Sequence, residues 1–270
     1  MGRRWLPLIL LSRLAASADA LPSPEQLIRA AVAVKTAQRD WKYTYREDEQ
    51  WFSIDKKGRR APSAAPSERK TFDVIMLEGE SYRKLVLIDG KPLDAKTEEQ
   101  VNRDLEKERA ERRRQPKKPT VTKRFTISPV ELGQLEQFFE TKVAGEETVL
   151  GRKAWCLESA PPRNFLQRNL RPADKEDVST YVTRVVTWID RREGVEIRQT
   201  SNFASPIGGI QAGTELTVEF SKIGEAWLPE TIRARFDYKT GVMQHTYREQ
   251  YVRCYDYKRF TVDSSLMPTP

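Results

Sequence analysis

The stretch TELTVEFSKIGEAWLPETIRARFDY, residues 214–238, decides the fold. Apolar and polar residues alternate on both sides of Ile223-Gly224-Glu225, which is the period of a half-buried β-strand. A short connection that contains glycine joins neighbouring strands as an antiparallel hairpin. The stretch therefore predicts two paired strands, Thr214 to Ser221 and Trp227 to Tyr238.

The same pattern extends along the C-terminal half of the chain and predicts an antiparallel meander. Short turns with glycine recur at Arg192-Glu193-Gly194 and Lys239-Thr240-Gly241. Strands and helices do not alternate, so a parallel sheet is disfavoured. The other strands predicted here are Lys142 to Leu150, Lys153 to Ser159, Thr180 to Asp190, Gly194 to Phe203 and Met243 to Tyr257.

Two short helices are predicted before the meander. Pro24 to Asp40 repeats apolar residues at three- and four-residue spacing behind the capping residue Ser23, as an amphipathic helix does. Pro129 to Phe139, capped by Ser128, is the second.

The N-terminal half also contains predicted strands. Thr71 to Glu78 and Tyr82 to Asp89 surround a turn, and an earlier strand carries aromatic residues on one face. Such a face can line a lipid cavity, stack on sugars or fill a core. Its aromatic residues are Trp41, Tyr43, Tyr45 and Trp51.

The order of these elements resembles the LolA-like group of exported bacterial lipid-binding proteins. The stretches that carry the resemblance are FDVIMLEG (72–79), Tyr82 to Leu93, GRKAW (151–155), WID (188–190) followed by Gly194, and WLP (227–229). The resemblance implies a mainly β, α+β fold, in which a curved antiparallel sheet or incomplete β-barrel packs on helices. It also implies a cavity for acyl chains between the sheet and the helices.

Strand alternation supplies the residues that would line this cavity. They are Trp41, Tyr43, Tyr45, Val74, Met76, Val186, Ile197, Leu216, Val218, Phe220, Ile232 and Phe236.

Residues 95–118 are predicted to form a charged helical insertion. Val101 and Leu105 are the only members of its apolar stripe, so little core holds the helix and its amides should exchange quickly. It is either a mobile arm or lid, or a surface helix that bridges two parts of one domain.

The first twenty residues predict a cleaved export signal. Met1 to Arg4 is basic, Trp5 to Leu11 is apolar, and Ala18-Asp19-Ala20 is a small-x-small cleavage site. We expect the mature chain to begin at Leu21, to form a single domain over residues 21–270, and to be periplasmic or secreted. No later apolar run is long enough to predict a transmembrane segment in the mature chain.

Composition argues against several classes of function. The 270 residues include 47 Lys and Arg against 39 Asp and Glu, and the two signs are mixed rather than clustered, so nucleic-acid binding is not predicted. His245 is the single histidine and G-x-S-x-G is absent, so no nucleophilic enzyme is indicated. No metal or cofactor motif appears, and we expect a protein without enzymatic activity, cofactor or metal.

The two cysteines lie in predicted strands. Cys156 and Cys254 belong to a chain predicted to be exported, where oxidation is allowed. A disulfide and two buried free thiols both remain open at this point.

Two functions from different classes follow. The first is a non-enzymatic binder of lipid acyl chains or of a lipidated protein in the bacterial envelope. The second is an envelope sensor or interaction module with a packed sheet and no lipid cavity, whose charged arm contacts an envelope partner protein. A hydrolase of envelope lipid or polysaccharide is the weakest hypothesis.

Overall fold

The computed structural model describes residues 21–38, 42–114, 129–162, 182–203, 213–240 and 244–260. Within these ranges the chain forms one sheet of eleven strands and three helices. Every strand pair is antiparallel. The predicted fold class, a mainly β, α+β arrangement of an antiparallel sheet packed on helices, is confirmed. The export signal predicted over residues 1–20 lies outside the described residues.

The strand order brings the two halves of the sheet together at β1 and β11. The order is β4-β3-β2-β1-β11-β10-β9-β8-β7-β6-β5, so β4 and β5 are opposite edges and the described strands do not close a barrel. The strands are β1 (Lys42–Ser53), β2 (Glu68–Leu77), β3 (Glu80–Ile88), β4 (Lys91–Pro92), β5 (Glu140–Val149), β6 (Arg152–Ala160), β7 (Val182–Asp190), β8 (Glu196–Phe203), β9 (Glu215–Ile223), β10 (Ala226–Thr240) and β11 (Gln244–Phe260).

Irregular pairing bends the sheet at several strands. The register shifts between Thr44 and Arg46 in β1, between Val143 and Gly145 in β5, and between Pro229 and Thr231 in β10. An extra residue at such a bulge bends its strand and increases the local twist. The curvature agrees with the predicted curved sheet.

Helices α1 (Pro24–Ala37) and α3 (Leu132–Phe138) cover one face of the sheet over the β6 to β10 strands. The Ser23 Oγ accepts a hydrogen bond from the Gln26 amide at 3.2 Å and so caps α1, as predicted. The main core cluster joins the helix residues Ile28, Ala31, Leu132 and Leu135 to the strand residues Leu157, Val185, Ile189, Leu216, Val218 and Ala234. This half of the helix-facing side is therefore filled by the protein's own side chains.

α3 is shorter than the predicted helix Pro129 to Phe139. It begins at Leu132 after the N-cap residue Glu131. The backbone of Val130 is instead hydrogen-bonded to the Gln199 side chain of β8, through both its amide and its carbonyl. This tertiary contact holds the chain before α3 outside the helix. Ser128, the predicted cap, lies outside the described residues.

The charged insertion forms α2 (Ala95–Arg114), and residues 115–118 lie outside the described residues. Leu105 is its buried residue. The Arg112 guanidinium donates to three backbone carbonyls of the β2–β3 hairpin: Leu77 O and Glu80 O, both at 3.0 Å, and Ser81 O at 3.2 Å. The C-terminal half of α2 is thus attached to the hairpin by a contact that the apolar pattern does not reveal.

Hydrogen exchange should therefore differ between the two halves of α2. We expect residues 95–104 to exchange fastest, and residues 105–114 to exchange more slowly because Leu105 and Arg112 hold them. Arg112→Ala should raise exchange in the second half to the level of the first, whereas Arg103→Ala, which removes an exposed pair with Glu99, should not. Uniform exchange along α2 in the wild type would contradict this expectation.

The structure contains free, buried thiols at Cys156 and Cys254 rather than a disulfide. Cys156 lies on β6 and Cys254 on β11, and four strands separate them in the sheet. With neighbouring strands about 4.8 Å apart, the two residues are far beyond the roughly 7 Å Cα separation that a disulfide tolerates. Of the two alternatives, free thiols are the observed one.

Among the described helices, none has both the length and the apolar content needed to span a bilayer.

Candidate functional site

A cavity of about 800 Å³ opens between α1, α3 and the hairpin that joins β9 to β10. We call it the α1–α3 cavity. Its inner wall is apolar and includes Leu132, Phe220 and Trp227. The polar residues that line it are Lys35, Thr36, Gln38, Glu131, Gln134 and Gln137. The volume lies in the usual range for ligand pockets, roughly 300 to 1,000 Å³.

Gln38 fixes the end of α1 against the β9–β10 hairpin. Its Oε1 accepts from the Trp227 amide at 3.3 Å and its Nε2 donates to the Glu225 carbonyl at 3.2 Å. On the neighbouring strands, the Tyr257 hydroxyl donates to the Pro229 carbonyl at 2.6 Å. These bonds hold two walls of the α1–α3 cavity in place.

Gln199 fixes the third wall. Its Oε1 accepts from the Val130 amide at 2.7 Å, and its Nε2 donates to the Val130 carbonyl at 2.9 Å and to Glu196 Oε1 at 2.7 Å. Because Gln199 is buried, its polar atoms are hydrogen-bonded to these protein groups rather than to water. The start of α3 is consequently tied to β8 beneath it.

Two ion pairs join α1 to α3. Lys35 Nζ lies 3.0 Å from Glu131 Oε2, and Arg29 Nε lies 2.7 Å from Glu136 Oε1. Lys35 and Glu131 both line the α1–α3 cavity. Because the Lys35 and Glu131 side chains are exposed at 47% and 65%, their pair adds little to stability, and a ligand head group can replace one partner.

A smaller inner cavity of about 50 Å³ adjoins the first and shares Phe220 and Trp227 with it. Glu196 lines this inner cavity and is buried. Burial raises the pKa of Glu196 to about 7, and the nearby Glu131 charge acts in the same direction, whereas Lys35 and the Gln199 hydrogen bond oppose the shift. A carboxyl group that is neutral below pH 7 therefore stands beside the apolar wall.

The stability of the protein should fall as pH rises from about 4.5 to about 7. In this window folded Glu196 keeps a proton that the unfolded chain has released, so folding takes up a proton. In the wild type we expect the free energy of unfolding to fall by on the order of 3 kcal/mol across this window. Glu196→Gln should remove this fall, whereas the exposed control Glu230→Gln should retain it. Urea unfolding on both sides of the window measures the effect; an equal slope in Glu196→Gln and the wild type would contradict it.

Two of the predicted lining residues, Tyr43 and Phe220, line the α1–α3 cavity. Others of the set are packed beneath the helices or beside them: Leu216, Val218 and Phe236 belong to the main core, Ile232 packs against it, and Ile197 belongs to a smaller cluster with Val195.

The remaining members of the predicted set lie elsewhere. Val186 is paired with Glu158 and Thr200, so it points to the face opposite that of Val185. Tyr45, Val74 and Met76 belong to β1 and β2, and Tyr45 stacks on Tyr257 at 4.7 Å between ring centroids. Trp41 lies outside the described residues.

The helix-facing side of β1 is only partly aromatic. Glu47 and Glu49 alternate in phase with Tyr45 and Trp51, and Arg83 Nη2 donates to Glu49 at 2.9 Å while its Nε donates to Glu47 at 2.5 Å. Burial by itself raises the pKa of Glu49, but hydrogen bonds from Arg83 and Trp51 outweigh it and hold the pKa below its ordinary value. The ion pairs of Arg83 with Glu47 and Glu49 make this face of β1 a poor environment for an acyl chain.

Sequence reasoning missed several residues of the site. Leu132 and Trp227 form its inner wall, Glu196 lines the inner cavity, and Gln199 holds α3. Trp227 stands in the WLP stretch that carried the family resemblance, which was the available signal. Gln199 and Glu196 follow no apolar pattern, so nothing in the sequence marks them.

No catalytic or metal-binding arrangement appears in the part of the chain that the structure describes. There, no three His, Cys, Asp or Glu residues are grouped to hold a metal ion. His245 Nδ1 lies 2.7 Å from Asp237 Oδ1 on the neighbouring strand, which is a structural contact between paired strands.

No protein-family model matches the sequence, and no curated protein matches it. Solved structures resemble the chain in fold. A domain from Vibrio parahaemolyticus assigned to outer membrane lipoprotein sorting is 12% identical, with 88% of this chain and 94% of that chain covered and a TM-score of 0.42. A DUF1329 family protein from Desulfovibrio piger is 10% identical, with coverages of 88% and 94% and a TM-score of 0.39.

A LolA superfamily protein from Nitrosomonas europaea is 11% identical, with 90% of this chain and 96% of that chain covered and a TM-score of 0.38. The LolA-like group named in the sequence analysis is thus among the solved structures to which the chain is similar.

Proposed function

We propose that the protein is an exported, non-enzymatic lipid-binding protein of the bacterial cell envelope that takes an acyl chain into the α1–α3 cavity. The observation that carries this proposal is the opening of about 800 Å³ with Leu132, Phe220 and Trp227 as its apolar wall. The hydrogen bonds of Gln38 and Gln199 hold this opening in place, so little ordering accompanies binding. The bound molecule is either a free lipid or the lipid group of a protein.

The cellular location is part of the proposal. The basic, apolar and small-x-small segments of residues 1–20 support export to the periplasm or beyond, with a mature chain over residues 21–270. N-terminal sequencing of exported protein tests this, with Leu21 as the expected first residue. Export of a protein that still begins at Met1 would contradict cleavage.

A titration with fluorescent fatty acids of increasing chain length tests acyl binding. Each methylene that enters an apolar cavity contributes about 0.8 kcal/mol, so affinity should rise about fourfold per methylene until the cavity is full. Phe220→Asp should abolish the rise by placing a charge in the wall. Ile223→Asp, on the same strand but exposed, is the matched control and should behave as the wild type.

A cavity-filling variant separates loss of the cavity from loss of the fold. Phe220→Trp keeps the wall apolar and reduces the volume, so the affinity should stop rising at a shorter chain. Absence of saturable binding by folded wild type would contradict the proposal. The packed core beneath α1 would then favour the envelope interaction module that binds a protein partner.

A further inference from the structure

A second concavity of about 450 Å³ lies at the same end of the sheet as the α1–α3 cavity. It is lined by Arg152 and Lys153 at the start of β6, and by Asp190, Arg191 and Arg192 at the end of β7. We call it the basic concavity.

Asp190 shapes the turn that carries these cations. The Asp190 carboxylate accepts the Arg192 amide at 2.9 Å, the Glu193 amide at 2.7 Å and Arg152 Nε at 2.7 Å. Gly194 closes the turn with a φ of 65°, in the left-handed region that glycine favours. The only carboxylate among the lining residues is therefore committed to the turn and to Arg152.

The cations around the turn outnumber the carboxylates. Glu146 pairs with Lys153 and Arg191, and Glu193 pairs with Arg152 and Lys222. Together with Arg192, five cations face the three carboxylates of Glu146, Asp190 and Glu193, which leaves an excess of positive charge. Within the described residues Arg192 has no ion pair, and the Lys153 side chain is 71% exposed. These two side chains are the ones most available to an anion.

Trp227 joins the basic concavity to the α1–α3 cavity. Its ring lines that cavity, while the Arg152 guanidinium lies 5.0 Å from the ring centroid. The Trp227 Nε1 donates to Glu193 Oε2 at 3.1 Å. Val195 and Glu196, which follow the same turn, line the inner cavity. Trp227 thus lies between the apolar cavity, which it lines, and Arg152 of the basic concavity, and the turn after β7 contributes residues to both the basic concavity and the inner cavity.

We propose that the basic concavity binds the phosphate-bearing head group of an anionic lipid whose acyl chain occupies the α1–α3 cavity. This inference rests on the proposed function and names its ligand class. A phosphate carries negative charge and several acceptor oxygens, which suit Arg and Lys donors. The inferred ligand is therefore an anionic amphiphile rather than a neutral one.

Two lysolipids with the same acyl chain test this inference below their micelle-forming concentrations. Lysophosphatidylglycerol is anionic and lysophosphatidylcholine is zwitterionic, so the difference between their affinities reports the head-group site. We expect the wild type to bind the anionic lipid about fivefold more tightly at low salt, since two exposed charge contacts contribute several tenths of a kcal/mol each. Inorganic phosphate alone is the third probe.

The double variant Lys153→Gln with Arg192→Gln should bind both lysolipids with equal affinity, because the excess of positive charge that favours the anionic lipid is then removed. It keeps the Arg152 contacts with Asp190 and Trp227 and the Arg191 contact with Glu146. The matched control, Lys107→Gln with Arg114→Gln, removes two exposed charges from α2 and should keep the preference.

Each other outcome has a definite meaning. Equal binding of both lysolipids by the wild type, or a preference that survives in the double variant, would overturn this inference and leave the proposed function standing. Binding of neither lysolipid would overturn the proposed function itself. Phosphate that binds as tightly as the anionic lipid would show a free-phosphate site and overturn the lipid assignment.

Discussion

Replacing Gln199 with leucine is expected to lower the free energy of unfolding by about 3 kcal/mol and to weaken acyl binding strongly. The side chain makes three hydrogen bonds of 2.7 to 2.9 Å to the Val130 backbone and to Glu196. Leucine fills a similar volume but leaves the Val130 amide and carbonyl without partners in a buried site. The start of α3, which forms one wall of the α1–α3 cavity, then loses its attachment to β8.

Urea unfolding and the fatty-acid titration measure the two effects on the same variant. Gln26→Leu is the control, because Gln26 is an exposed residue of α1 and its side chain does not line the cavity. It should change neither quantity. A Gln199→Leu protein with wild-type stability would show that the Val130 contact does not hold α3 in solution.

Replacing Glu249 with alanine should be equally costly but should spare ligand binding. The buried Glu249 carboxylate contacts Arg60, with Arg60 Nε at 2.7 Å, and Arg235, with Arg235 Nε at 3.1 Å. Arg233 Nε lies 3.9 Å away. Without Glu249 these cations repel one another, and because they remain partly exposed we expect a loss of about 2 to 3 kcal/mol rather than the full cost of a buried charge.

Acyl binding should persist in this variant because the site is distant. Tyr257 is the β11 residue that contacts the cavity wall, at Pro229. Glu249 lies eight residues before it, and eight residues of extended strand span about 26 Å. The control is Glu158→Ala, since Glu158 also pairs with two cations, Lys142 and Arg184, but is 29% exposed. It should lose less than about 1 kcal/mol. Equal losses of unfolding free energy in Glu249→Ala and Glu158→Ala would show that burial of the carboxylate does not set the cost of removing it.

The sequence predicts the hairpins well because the alternation of apolar and polar residues and the residues of the turn are both local signals. Alternation in residues 214–238 and the turn at Ile223-Gly224-Glu225 specify a strand pair, and β9 and β10 pair there. The same holds for α1, where Ser23 and a regular apolar stripe define the start and the buried face. These features depend on neighbouring residues alone.

The position of the cavity cannot be predicted in this way. Alternation places Val218 and Phe220 on one face, yet Val218 is sealed under the helices while Phe220 lines the cavity two residues further on. The difference arises from where α1 and α3 end above the sheet. That depends on the contact between Gln199 and Val130, two residues separated by 69 positions in the chain.

Buried polar groups are the other feature that sequence patterns miss. Glu47 and Glu49 interrupt an apparently aromatic strand face, and their burial is made tolerable by Arg83 from a different strand, together with the Trp51 indole that donates to Glu49. Glu196 is likewise an ordinary glutamate in the sequence and a buried, proton-holding group in the fold. Their environments are set by long-range contacts.

The most direct test of the central claim is tryptophan quenching by a fatty acid brominated along its chain. If the chain occupies the α1–α3 cavity, bromine should quench Trp227, which lines it, and the quenching should fall sharply in Trp227→Phe. It should remain in Trp188→Phe, because Trp188 lines neither cavity and its indole Nε1 donates instead to Glu147 Oε2 of β5 at 2.8 Å. Quenching that is unchanged in Trp227→Phe, or lost in Trp188→Phe, would place the chain elsewhere and contradict the account.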